Sequence, residues 1–171
     1  SAASDVYKRQ GKGLSEMFSL GLKNHGIKIT ANVSHENGKA DYSSEVATLA
    51  SAGGDAVAVL GYADQGGKGI IQAALDSGAF DTFILGDGMI AKSLVATFGK
   101  DLNKSFGSMP GSLGKGASLY QDVAKAGGVD SNGAFVRESY DAAALIVLAA
   151  QAGNSADRAS IAKNVMNVAN A

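Results

Sequence analysis

The sequence predicts an α/β fold built on a parallel sheet, and three observations carry that expectation. Two apolar runs, Ala56–Leu60 and Thr82–Leu85, are bounded by Gly and Asp and are short enough to be fully buried strands. Between them, Gly69–Leu75 carries Ile70, Ile71, Ala74 and Leu75, the spacing of a helix's inner face. A strand–helix–strand unit of this size crosses over right-handed, which makes its two strands parallel. The composition agrees: 23 glycines against 1 proline suggest many tight strand–helix turns.

At 171 residues the chain is long enough for one domain with its own core, or one lobe and part of another. Its 46% hydrophobic content is that of a globular protein rather than a disordered one. The net charge of −1, from 15 basic and 16 acidic residues without clustering of either sign, lacks the footprint of a nucleic-acid binder. No apolar run approaches the length of a membrane span, and the first residues do not resemble a signal peptide. Cysteine is absent, which excludes disulfides, thiolate metal sites and cysteine nucleophiles and fits an extracytoplasmic protein.

Taken in order, Ser1–Gln10 has no periodicity and reads as an unstructured or unrelated lead. From Gly11 a helix is expected, with Leu14, Met17, Phe18, Leu20 and Leu22 on one side and His25-Gly26 at its end. Ile27–Val33 alternates apolar with polar residues and reads as a half-buried strand near a sheet edge. His35–Lys39 is a polar loop, after which Asp41 or Ser43 can cap a helix holding Val46, Leu49 and Ala50. The strand–helix–strand unit comes next, then a helix over Ile90–Phe98 and a strand over Ser105–Met109. Ser112–Gly116 is Gly/Ser-rich and reads as a hinge. Beyond it only helices are expected: Leu119–Ala126, Phe135–Ala152 and Asp157–Val168, the last capped by Ser155 or Asp157.

Most catalytic signatures are missing. Gly11-Lys12-Gly13 resembles part of a phosphate loop, but Leu14 stands where that motif needs a hydroxyl. His25 and His35 have no partner at metal-ligand spacing and read as solvated histidines. No nucleophile elbow is present. Asp87, between Gly86 and Gly88, could be a plain turn residue, and Tyr62 a half-buried aromatic at a strand end. Together they make a coherent pair, because both follow adjacent parallel strands, and ligands bind at the carboxyl ends of such strands. A carboxylate accepts charge-assisted hydrogen bonds from an ammonium, while a phenol offers a flat apolar face and a hydroxyl. That suits an amine-bearing small molecule and favours binding over catalysis.

With those residues in view, FILGDGM, the GDAVAVLGY strand end before it and the distant FVRESYDAAALIVLAAQ resemble the type I periplasmic binding proteins. The nearest group is the leucine/isoleucine/valine-binding branch, the solute receptors of branched-chain amino-acid ABC importers. The resemblance runs from about Gly11 to Val168. It implies two flavodoxin-like α/β lobes closing over an amino acid, with Tyr62 and Asp87 as lobe-two contacts and Asp87 on the α-ammonium. It implies also that Phe135 comes from the other lobe and packs on the ligand side chain. Asp87 stands where some relatives carry Glu, a carboxylate one methylene longer.

On that resemblance, residues 11–109 are lobe two without its first strand, 110–116 a crossing, and 117–171 helices of lobe one. The first strand would lie between Ile27–Val33 and Ala56–Leu60, and its absence predicts marginal stability or self-association. Half a cleft is expected to bind weakly, because closure needs contacts from both lobes. The expected function is non-enzymatic: an extracytoplasmic receptor for a small-molecule amino acid, partnered by a membrane permease, without nucleic acid, metal, cofactor or direct membrane insertion. The ligand could also be an amide or urea. An effector-binding domain of a transcription regulator with the same fold is the main alternative. A flavodoxin-like enzyme is the other, weakened by the lack of a phosphate loop.

Overall fold

The structure is a computed structural model that describes residues 2–111, 114–133 and 135–171, with side chains described from Gly11 onward. It is of mixed α/β class and divides into two units, Ser1–Met109 and Pro110–Ala171. The first unit holds α1 (Ala2–Asn24), α2 (Ser43–Ala52), β1 (Val57–Val59), α3 (Gly67–Ser77), β2 (Phe83–Leu85), α4 (Lys92–Phe98) and β3 (Phe106–Gly107). The second holds α5 (Lys115–Ala126), α6 (Val136–Ala152) and α7 (Arg158–Ala169).

The three strands form a parallel sheet in the order β1-β2-β3. Val57 pairs with Phe83 and Val59 with Leu85, so the two predicted apolar runs do lie side by side in the same direction. Between them, α3 buries Ile70, Ile71 and Ala74 against the sheet. The core gathers Val46 of α2, Val57 and Val59 of β1, Phe83 and Leu85 of β2, Met89, and Leu94 and Phe98 of α4. Phe83 and Ile71 are entirely shielded from solvent. Burying side chains of that size contributes roughly 1.5–3 kcal/mol each, which places the unit's stability in this small sheet and its three covering helices.

Two expectations are corrected. The lead Ser1–Gln10 is not separate from the helix expected at Gly11, since α1 runs without a break from Ala2 to Asn24. Ala2, Ala3, Lys8, Arg9 and Gln10 all favour helix, and nothing between them and Gly11 stops it. Gly11-Lys12-Gly13 therefore lies inside a helix and forms no phosphate loop. The second correction is Ile27–Val33, which is extended but joins no ladder. Among the described residues no backbone hydrogen bond links it to β1, and Ile27 stays 53% exposed. The alternating pattern suits an extended chain but cannot supply a neighbouring edge to pair with.

In the second unit, α6 and α7 pack against each other across the turn at Gly153–Asp157. A Cβ at Gly153 would meet the Ser160 and Asn164 side chains, so only glycine lets the two helices approach there. Ala149 is buried on the same side. The start of α7 obeys the predicted signal: Ser155 and Asp157 are hydrogen-bonded to each other through side chain and backbone. The expected hinge Ser112–Gly116 lies partly outside the described residues. No described helix is long and apolar enough to cross a membrane.

Candidate functional site

The crevice forms where β1 and β2 end. Leaving β1, the chain passes Leu60 and Gly61 and places Tyr62 on the rim, 40% exposed. Its carbonyl accepts the amides of Gln65 at 3.2 Å and Gly67 at 3.0 Å, which closes a 3-10 turn into the start of α3. Leaving β2, Gly86 is extended and Asp87–Met89 form a second 3-10 turn. Met89 is fully buried in the core, which anchors this turn and leaves Asp87 half-buried at the surface.

The two strand ends touch. A Cβ at Gly88 would lie 2.5 Å from the Gly61 carbonyl oxygen and 2.8 Å from Cδ1 of Tyr62. The phenol ring thus lies over the glycine that succeeds Asp87, and the predicted pair of Tyr62 and Asp87 occupies one rim. The Asp87 side chain has no hydrogen-bond or ion-pair partner among the described residues of its own unit. The nearby acid Asp64 differs: it is engaged by Lys68 and by Ser93, whose hydroxyl donates at 3.1 Å to both carboxylate oxygens. The Lys68 ammonium and the Ser93 hydroxyl together hold the Asp64 carboxyl below its ordinary range. Of the two acids, Asp87 is the one left to receive an external cation.

Phe135, the third predicted residue, belongs to the second unit. It precedes α6 with a φ of 63°, in the left-handed region, and is 44% exposed. In the same unit, Tyr120 and Tyr140 of α5 and α6 stack at a ring separation of 5.1 Å.

One residue at the first site gives no sign of itself in the sequence. His35 is not a freely solvated histidine. It is half-buried, with Nε2 3.1 Å from where a Cβ of Gly61 would stand. Burial lowers its pKa, against a smaller opposing pull from Glu45. The loop that carries it is docked onto the turn after β1. The Gly38 amide donates to the Gln65 carbonyl at 3.3 Å and the Asn37 amide group to Gln65 Oε1 at 3.2 Å. Tyr42, buried beneath, donates from its hydroxyl to the Glu36 carbonyl at 2.8 Å and accepts from the Lys39 amide at 3.0 Å. Its ring packs on Gly66 and Gly69, where any side chain would collide, and Gly66 has a φ of 120° besides. None of these tertiary contacts leaves a local sequence signal.

Among the described residues no group of three histidine or acidic side chains is arranged to hold a metal. No protein-family profile matches the chain. No curated protein matches it either.

Proposed function

We propose that the chain is the solute-binding component of an ABC importer for amino acids, of the branched-chain group, acting outside the cytoplasmic membrane. The observation that carries this is the unpartnered Asp87 carboxylate beside Tyr62 at the ends of two neighbouring parallel strands. Crevices at such strand ends are where open parallel sheets take small ligands. On this reading Asp87 accepts hydrogen bonds from the α-ammonium, and the Tyr62 ring covers the apolar part of the ligand. The first unit is then a lobe of the type I periplasmic-binding fold, which the FILGDGM and GDAVAVLGY segments resemble. A membrane permease is the protein partner of such a receptor.

The test is a nuclear magnetic resonance titration of the whole chain with leucine, valine and urea into the millimolar range. A single crevice without closure is expected to hold leucine with a Kd on the order of 1 mM, or about −4 kcal/mol. Resonances of Tyr62, Asp87 and Gly88 should move together, and Asp87→Asn should abolish the movement without unfolding the chain. Leucine that leaves these resonances in place, or that moves them equally in Asp87→Asn, would sink the proposal.

A further inference from the structure

A ligand gripped only at its ammonium would be an amine like any other, and the crevice has a further polar group on its opposite flank. His35 stands beside Gly61 on the side away from Gly88, so the order along the strand ends is His35, Gly61-Tyr62, Asp87-Gly88. Its position is fixed by the docked loop: Gln65 holds Asn37 and Gly38, and the buried Tyr42 holds Glu36 and Lys39. The Tyr42 ring meets the imidazole edge-on at 6.2 Å, which fixes its tilt. Although the ring is half-buried, neither of its nitrogens has a hydrogen-bond partner among the described residues. A half-buried imidazole held this firmly, with its hydrogen-bonding capacity unspent and one nitrogen over the crevice floor, is placed to meet a ligand.

We propose that His35 is a specificity-determining residue that hydrogen-bonds the carboxylate of an amino acid whose ammonium rests on Asp87, so that the crevice selects amino acids over simple amines. The inference rests on the amine-binding reading of Asp87. The span agrees: one strand spacing of about 5 Å separates the floors under the two groups, and the imidazole stands just beyond. An α-amino acid with a hydrogen bond of about 2.8 Å at each end bridges such a gap, and an amine without a carboxylate leaves the imidazole unsatisfied.

The experiment compares leucine with isopentylamine, its analogue lacking the carboxylate, in titrations of the full chain followed by nuclear magnetic resonance at pH 7.5. Wild type is expected to bind leucine about tenfold more tightly than isopentylamine, the weight of one hydrogen bond to a charged group. The His35 ring protons should shift with leucine only, and leucine should raise the His35 pKa by placing a carboxylate beside it. In His35→Ala the preference should fall to about one with amine affinity kept. His35→Gln, which retains a donor and an acceptor, should restore part of it. If His35→Ala and His35→Gln keep the tenfold preference while Asp87→Asn abolishes binding of both ligands, the role of His35 is overturned and the amine site stands. If neither ligand moves Tyr62 or Asp87, the amine site itself fails and takes this inference with it.

Discussion

The phenol of Tyr62 lies directly over Gly88, with Cδ1 only 2.8 Å from the point a Cβ there would occupy. The same Cβ would stand 2.5 Å from the Gly61 carbonyl oxygen, a backbone atom that no rotamer change can move. Gly88→Ala is therefore expected to push the two strand ends apart and cost about 1–3 kcal/mol, as overpacking does. Asp87→Asn, one residue away, changes a group with no partner in its own unit and should fall within about 0.5 kcal/mol of wild type. Urea unfolding of the two variants checks both. Equal stability of Gly88→Ala and wild type would mean that the ring is not where this contact places it.

The sheet's own weight is read from two phenylalanines. Phe83, on the central strand, is 0% exposed, while Phe106, on β3, is 70% exposed. Phe83→Ala should lose about 3–5 kcal/mol by leaving a cavity. Phe106→Ala should change stability by less than about 0.5 kcal/mol. Unfolding curves that rank them otherwise would relocate the core.

Much of the first unit is legible in the sequence because its signals are local. The buried strands around Val57–Val59 and Phe83–Leu85 announce themselves as short apolar runs, and α3 by the spacing of Ile70, Ile71 and Ala74. Tyr62 and Asp87 are visible because each comes just after a strand, and parallel pairing brings such positions together. His35 is not, since it is fixed by Gln65, thirty positions on, and by a buried Tyr42 hydroxyl. Ile27–Val33 misleads for the complementary reason: alternation describes which face is wet, whereas a strand exists only when another backbone lies beside it. Ser1–Gln10 misleads because a helix here continues on propensity without an apolar stripe to reveal it.

Removing the Tyr42 hydroxyl tests the docking of the His35 loop. Tyr42→Phe keeps the buried ring but takes the acceptor from the Lys39 amide and the donor from the Glu36 carbonyl. The expected loss is about 1–2 kcal/mol. Exchange of the Lys39 amide with solvent should accelerate, and the His35 ring resonances should broaden. Unchanged exchange at Lys39 would show that the loop is held by other contacts.

The acid limb of stability should belong in part to Glu45. Its carboxylate receives the Lys39 ammonium at 2.6 Å and the Ser44 hydroxyl at 2.8 Å, which bring its pKa from 4.5 down to about 2. A carboxyl whose pKa is lowered by folding contributes stability that is complete above its unfolded pKa and is lost as the pH falls towards the folded value. The contribution therefore fades between about pH 4.5 and pH 2. Glu45→Gln should flatten the fall in the urea midpoint across that window. It should also lower the His35 pKa further, because the Glu45 charge opposes the effect of burial there. A His35 pKa that rises in this variant would reverse the sign of the coupling.

The outer edge of β1 is open. Val57 donates to Thr82 at 3.0 Å and Val59 accepts from Gly86 at 3.2 Å, so the alternate residue, Ala58, directs its amide and carbonyl away from β2. No described backbone group answers them, and Ala58 is exposed. An open strand edge of this kind pairs with another chain when concentration permits. Sedimentation across a concentration series should show an average mass rising above the 17.2 kDa of one chain. Ala58→Pro deletes only the outward-facing donor, a position where an edge strand tolerates proline, and should hold the mass at that of a single chain. If the wild-type chain stays at 17.2 kDa throughout, or if Ala58→Pro associates as readily, the edge of β1 is not the surface through which copies meet.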